Sequence, residues 1–163
     1  MTDDDKKLLL KDLSARLPYN VKVLCSYYDD TDDTEPTVKT FTLTEINTEN
    51  GNHPYWIGGE QLQDSGFSNG TTSFAVNIDD ELQYIKPYLR PITSITKNEE
   101  QEIRNFFRKC IDDLHGKSNE EQFFLGFCQD AESLDYLNMH HLDYRGLIEK
   151  GLAIEAPEDM YNC

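Results

Sequence analysis

The stretch TVKTFTLTEI, residues 37 to 46, decides the fold of this 163-residue chain. Its apolar side chains are Val38, Phe41, Leu43 and Ile46, and threonine, lysine and glutamate fill the positions between them. Such alternation is typical of a β-strand that has one face on a core and the other on solvent. The alternation slips once between Val38 and Phe41, which predicts a β-bulge at that point.

Further β-forming segments lie on both sides of this strand. VKVLCSYY precedes it, and HPYWIGG, TTSFAVNI and a short run at residues 83–89 follow it. Asn50-Gly51 is a favourable hairpin dipeptide. Four or five short strands joined by polar turns predict a small antiparallel β-sheet or an SH3-like barrel.

A helix is predicted before the strands, over about residues 3 to 17. Thr2 is a suitable N-cap, aspartates occupy the first turn, and Pro18 disfavours continuation of the helix. Apolar residues recur at the spacing of one helix face. The predicted buried stripe is Leu9, Leu10, Leu13 and Leu17.

Helical patterns also follow the strands. Thr96 and Glu99 form a T-x-x-E capping box at the start of the clearest amphipathic pattern of the chain, which ends near Leu114. Shorter helices are expected over residues 119–128 and 131–141, and a last turn over residues 144–150.

These patterns together predict one α+β domain, with an N-terminal helix, a small sheet and a C-terminal helical group. The helix and sheet are expected within about residues 1–92, and the helical group within about residues 93–163. A chain of this length can bury roughly two-thirds of the surface that it exposes when unfolded, which is enough for a real core.

Acidity is the strongest signal in the composition. The chain has 31 Asp and Glu residues against 15 Lys and Arg residues, a formal net charge of −16. Such a surface repels nucleic acid and anionic membranes, so direct binding to either is not expected. In one interpretation the negative charge only keeps the protein soluble. In the other, the acidic face binds a basic partner protein and occupies the groove in which that partner normally binds phosphates.

The densest acidic segment is DDTDDTEP, from Asp29 onward. It lacks the glycine and the final glutamate of an EF-hand loop, so a specific calcium site is not expected. Its carboxylates are the predicted partner-binding patch, namely Asp29, Asp30, Asp32, Asp33 and Glu35.

Tyr55 and Trp56, in NGNHPYWIGGE, are candidate anchors for the same partner. Tyrosine and tryptophan are favoured at the centres of protein interfaces. The competing interpretation places Trp56 in the core, as is usual for a tryptophan in a small sheet.

The HHLD motif raises the question of a metal or catalytic site at His140, His141 and Asp143. Adjacent residues of a helix point about 100° apart, and no further ligand has motif support. The favoured interpretation is a structural corner in which Asp143 caps the next turn, one histidine is packed and the other is exposed. Arg145 is expected to pair with Asp143 or with the acidic C-terminal segment.

Other chemistry has little support in the sequence. The four cysteines match no zinc spacing, and no nucleophile or phosphate-loop motif is present. The chain is therefore predicted to be no enzyme and to use no cofactor or metal. It shows no signal peptide and no apolar run of about 20 residues, so a cytoplasmic location with reduced thiols is expected.

Three stretches resemble a group of small uncharacterised proteins that phages, prophages and mobile elements of gut Bacteroidales encode. They are KDLSARLPYNVKV near the start, IKPYLRPITSIT in the middle and HHLDYRGLIEKGLAIEAPEDMY near the end, so the resemblance spans most of the chain. The group has no established catalytic or binding residues to carry over. This chain departs from it in the DDTDDTEP and NGNHPYWIGGEQLQDSG segments. The resemblance implies an accessory factor that acts on a host protein.

The sequence thus predicts a non-enzymatic phage or mobile-element protein that binds a basic, nucleic-acid-handling host protein through acidic surfaces. Inhibition of a bacterial defence nuclease, as by an anti-CRISPR, is the form of this activity that we expect. The alternative is a self-associating structural or housekeeping phage protein, with contacts through Phe123, Phe124 and Phe127. A second alternative is a metal-dependent enzyme that uses His140, His141 and Asp143.

Overall fold

The computed structural model of the protein describes residues 1–27, 37–47, 56–62, 71–77, 81–103 and 131–161. The described helices are α1 (Asp3–Arg16), α2, of which residues 97–103 are described, and α3 (Ala131–Met139). The strands are β1 (Lys22–Tyr27), β2 (Thr37–Asn47), β3 (Trp56–Leu62), β4 (Thr71–Asn77), β5 (Ile85–Leu89) and β6 (Ile154–Glu155).

The six strands form one sheet in the order β4-β3-β2-β1-β5-β6. Neighbours from β4 to β5 are antiparallel, whereas the short β6 runs parallel to β5. β4 and β6 stand at the two ends of this order, so the described strand pairs form an open sheet rather than a closed barrel. The predicted α+β class is confirmed. Of the two predicted architectures, a small sheet and an SH3-like barrel, the described strands form the sheet.

β2 confirms the strand expected from its alternating pattern, but the predicted site of the bulge was wrong. Phe41 and Leu43 are buried, while Val38 lies on the other face and is 51% exposed. The register between β1 and β2 is regular from Val38 to Phe41, so no bulge is needed there. The register with β3 shifts between Leu43 and Glu45 instead. This extra residue lets Ile46 pack against the core on the same side as Leu43.

α1 has the start and the buried face that the sequence predicts. The Thr2 hydroxyl accepts a hydrogen bond from the Asp5 amide (3.2 Å), and the Asp5 carboxylate accepts one from the Thr2 amide (3.1 Å). Leu9 and Leu13 are buried, with 1% and 0% of their surface exposed. The other two leucines of the predicted stripe, Leu10 and Leu17, are half-buried.

The capping box predicted for α2 is also confirmed. The Glu99 amide donates to the Thr96 hydroxyl at 3.2 Å, and the Thr96 amide donates to the Glu99 carboxylate at 2.8 Å. α3 matches the helix predicted over residues 131–141. The helix predicted over residues 119–128, with its phenylalanines, lies outside the described residues. No helix in the described ranges combines the length and the apolar character that crossing a bilayer requires.

The described residues contain two apolar clusters. The larger joins α1, the sheet and the segment at Leu147–Ala153, and the smaller joins Ile103, Leu137 and Leu142. Residues 142 and 147 therefore belong to different clusters although only four residues separate them. The segment between them connects the helices to the sheet.

Leu13 and Leu10 give a matched test of the α1 core face. Leu13→Ala should lower the free energy of unfolding by about 3 kcal/mol, because it leaves a cavity in the main core. Leu10→Ala removes the same side-chain atoms from a half-buried position of the same helix. It should lower the free energy of unfolding by roughly 1 kcal/mol. Urea unfolding measures both. Equal losses would contradict the described burial of α1.

Candidate functional site

The HHLDYRG stretch folds as a capped corner, which confirms the predicted role of Asp143. Its carboxylate accepts hydrogen bonds from the backbone amides of Leu147 (2.9 Å) and Ile148 (2.8 Å). Gly146 and Gly151 have φ angles of 67° and 69°, in the left-handed region that glycine adopts without strain. The chain can therefore reverse direction twice within this short segment.

The corner is joined to the sheet through Arg90, directly after β5. The Arg90 amide donates to the His141 carbonyl at 2.8 Å, and the Asp143 amide donates to the Arg90 carbonyl at 2.7 Å. Further along, the Ala156 amide donates to the Leu89 carbonyl at 2.8 Å. The backbone beyond His141 thus continues the hydrogen-bonded edge of β5.

The corner is joined to α1 through a buried ion pair. Asp12 and Arg16 are both 0% exposed, and Arg16 Nε lies 2.7 Å from Asp12 Oδ2. Arg16 Nη2 also donates to the Leu142 carbonyl at 2.8 Å. Arg145 Nη1 donates to Asp12 Oδ1 at 3.0 Å, so the predicted partners of Arg145, Asp143 and the C-terminal acids, were wrong. The Asp12 carboxylate is buried and accepts hydrogen bonds from both Arg16 and Arg145.

His141 is packed inside the corner. It is 4% exposed, and its ring stacks on Tyr161 with 3.8 Å between the ring centroids. Burial lowers its pKa to about 3, together with the positive charges of Arg16, Arg90 and Lys22 and that of His140 when protonated. His141 is therefore a neutral imidazole at neutral pH.

His140 lies on the other side of the corner, against α2 and α3. Its ring stacks on Tyr136 at 4.2 Å, and Nδ1 is 3.5 Å from Glu99 Oε1. Its side chain is only 13% exposed, so the prediction that one of the two histidines is exposed was wrong. Burial lowers its pKa, although the Glu99 carboxylate opposes that shift.

The three residues of the metal hypothesis do not converge. His140 faces Tyr136, His141 faces Tyr161, and both carboxylate oxygens of Asp143 accept backbone hydrogen bonds. Across the described ranges, no three His, Cys, Asp or Glu side chains are grouped so that they could hold a metal ion.

An open cleft of about 670 Å³ lies beside the corner. The start of α2 forms one wall, with Glu99 and Glu102. Residues 154–161, here called the C-terminal strap, form another wall with Glu155, Glu158 and Tyr161. Arg90 and His140 complete the polar part of the described lining, and Pro91, Ala156 and Pro157 supply apolar surface.

The cleft is negative at neutral pH. Arg90 holds Glu99 in a two-pronged pair, with Nη1–Oε1 at 2.7 Å and Nη2–Oε2 at 3.0 Å. The hydrogen bond from Arg90, reinforced by those from Thr96, lowers the pKa of Glu99 to about 2. Glu102, Glu155 and Glu158 are exposed. Four carboxylates thus face one guanidinium and a neutral imidazole, which favours a cationic ligand.

The partner-binding residues predicted from the sequence lie mostly outside the described ranges. This holds for the side chains of Asp29, Asp30, Asp32, Asp33, Glu35, Tyr55 and Trp56, so their role stays a prediction. The backbone of Trp56 begins β3, paired with Asn47 and Asn77. The acids of the cleft were not predicted, because they come from segments more than 50 residues apart in the chain. The sequence shows only that Glu99 and Glu102 follow Thr96, the first residue of a capping box, and that Glu155 and Glu158 lie near the C-terminus.

Comparison with known proteins adds no assignment. The chain has no significant match to any family model, to any curated protein or to any solved structure. Inferences about function therefore depend on the composition of the chain and on the geometry of the cleft.

Glu99→Gln should reveal how much the Arg90–Glu99 pair stabilises the fold. The folded-state pKa of Glu99, about 2, lies below its ordinary value of 4.5, so its contribution is present above pH 4.5 and lost as the pH falls towards 2. We expect the variant to lose roughly 1–3 kcal/mol of unfolding free energy at pH 7.

The same variant should also show a flatter fall in stability below pH 4.5. Urea titrations at pH 7, 4.5 and 3 measure both effects, with Glu100→Gln, an exposed neighbour on α2, as the matched control. A Glu99→Gln protein as stable as the control at pH 7 would contradict the structural role of this pair.

Proposed function

We propose that the protein is a non-enzymatic accessory protein that binds a basic partner protein through its acidic surfaces. The observation that carries this proposal is the cleft between α2 and the C-terminal strap, in which carboxylates outnumber cationic groups. The formal net charge of −16 makes the molecule as a whole negative as well. A basic partner would be attracted from a distance and then held at the cleft.

The cleft suits a lysine or arginine side chain of the partner. Exposed carboxylates on both walls, Glu102 on one and Glu158 on the other, can accept hydrogen bonds from the cationic group. Pro157 and Tyr161 provide apolar and aromatic surface for the aliphatic stem of such a side chain. The acidic segment from Asp29 to Glu35 would add charge to the same interaction.

The partner that we favour is a host protein that normally binds nucleic acid. A protein with a groove for phosphates presents lysine and arginine in the arrangement that a carboxylate-rich surface can occupy in place of phosphate. The resemblance to phage and mobile-element proteins supports a bacterial host cytoplasm as the setting. Within that setting we propose inhibition of a defence nuclease, in the manner of an anti-CRISPR.

An affinity capture from bacterial lysate, at 50 mM and at 500 mM salt with mass spectrometry, identifies the partner. A basic protein that is held at low salt and released at high salt is the expected result, because exposed ion pairs are screened within a few ångströms at high ionic strength. Retention of the chain alone would instead favour self-association, and capture that does not change with salt would contradict an electrostatic interface.

Glu158 and Glu45 then provide a matched pair of charge reversals for the captured partner. Both are exposed and both change the net charge equally, but only Glu158 lines the cleft. Glu158→Lys should weaken binding by roughly tenfold, about 1.4 kcal/mol, and Glu45→Lys by much less. Isothermal titration calorimetry measures both affinities. Equal effects would locate the interface away from the cleft.

A further inference from the structure

The C-terminal strap covers His141 with Tyr161 but contains no fully buried residue. Its short strand β6 pairs with β5 at two positions, and the Ala156 amide adds one hydrogen bond to the Leu89 carbonyl. Each residue from 154 to 161 is half-buried or exposed, and none reaches the burial of the core. An element with few buried contacts is the one that opens first in local unfolding.

Tyr161 is the residue by which the strap closes over His141. Its hydroxyl donates to the Tyr88 carbonyl (3.0 Å) and accepts from the Lys22 amide (2.9 Å). Its ring lies on the imidazole of His141, with an angle of 25° between the ring planes. One side chain therefore connects the strap to β1, to β5 and to the corner.

The charged groups around His141 are cations on three elements. Arg16 of α1 donates to the carbonyl of Leu142, the next residue, and is bonded to Asp12. Arg90, after β5, donates through its amide to the His141 carbonyl and is paired with Glu99.

The third cation is Lys22 of β1, which bonds Thr42 through its ammonium group and Tyr161 through its amide. His140, the adjacent residue, would add a further positive charge if protonated. The Nδ1 atom of His141 is itself buried, with no hydrogen-bond partner in the described part of the chain.

A proton on His141 is therefore unfavourable while the strap is closed. Within the described ranges, Asp12 and Glu99 already pair with Arg16 and Arg90, so a buried cation on His141 would have no carboxylate of its own there. Stacking on Tyr161 would recover only part of that cost through a cation–π contact. The charged ring needs water, and the strap, none of whose residues is fully buried, is the element whose opening would admit it.

We propose that protonation of His141 in mildly acidic solution releases the C-terminal strap from the edge of the sheet. The release removes one wall of the cleft, including Glu155 and Glu158. Acid would then weaken partner binding at the cleft, a consequence that rests on the proposed function. The release of the strap itself does not depend on it.

The expected size of the effect follows from proton linkage. The pKa of His141 is about 3 under the closed strap and returns towards its ordinary value of 6.5 when the ring reaches water. Opening then takes up a proton between these two values, so acid favours the open strap. Its population should rise about tenfold for each pH unit below about 6.5, which gives roughly 30-fold between pH 7.5 and pH 5.

Hydrogen exchange of the isolated protein tests the release directly. After correction for the intrinsic exchange rate, the amides of Ala156 and Lys22 should show the roughly 30-fold rise in opening between pH 7.5 and pH 5. The Leu43 amide, which donates to the Val21 carbonyl within the sheet, should not change. No rise in the wild-type protein, or an equal rise at Leu43 that marks global unfolding, would overturn the proposal.

Two variants assign the effect to His141. His141→Phe keeps an aromatic ring on Tyr161 without a titrating group, and should make strap opening independent of pH over this range. His141→Asn also lacks the titration and tolerates the left-handed backbone, with φ of 54°, if phenylalanine does not. His140→Phe is the matched control and should keep the acid response.

An acid response that persists in both His141 variants would contradict the assignment. Since the exchange is measured without a partner, failure to capture a basic protein would leave the strap result intact. Conversely, strap opening that does not depend on pH would not contradict the proposed binding of a basic partner at the cleft.

Discussion

The buried ion pair between Asp12 and Arg16 is the contact on which the C-terminal part of the structure depends. Two charges withdrawn from water are costly, and hydrogen bonds offset part of that cost. Asp12 accepts from Arg16 and Arg145, and Arg16 also donates to the Leu142 carbonyl. Removal of Asp12 would leave the buried Arg16 guanidinium without its carboxylate partner. We infer that this requirement fixes how the corner docks against α1.

The remaining contacts follow from that docking. With Leu142 in place, the backbone of the corner can pair with Arg90, and the two apolar clusters are held at a fixed separation. The strap then reaches β5 and covers His141 with Tyr161. The strap and the start of α2 both line the cleft, so the proposed binding of a basic side chain there would depend indirectly on the charges buried on α1.

Short-range sequence patterns predicted the helices and strands of this fold, whereas contacts between residues far apart in the chain became known only from the structure. The caps at Thr2, Thr96 and Asp143 each involve residues within five positions, and all three were predicted. The Asp12–Arg16 spacing of four is equally visible, but on sequence alone it is typical of a solvent-exposed helix pair. Nothing local indicates that Tyr161 meets His141, that β6 joins β5 in parallel, or that acids from two distant segments share one cleft.

Arg16→Lys is the measurement that tests this dependence most directly. Lysine keeps the positive charge beside Asp12 but lacks the planar guanidinium, which places Nε and Nη2 on the two Asp12 oxygens while Nη2 also reaches the Leu142 carbonyl. We predict a loss of about 2–4 kcal/mol in unfolding free energy, with the amides of Asp143 and Ala156 losing protection from hydrogen exchange before those of the sheet. An Arg16→Lys protein within about 0.5 kcal/mol of wild type, with both amides still protected, would contradict the account.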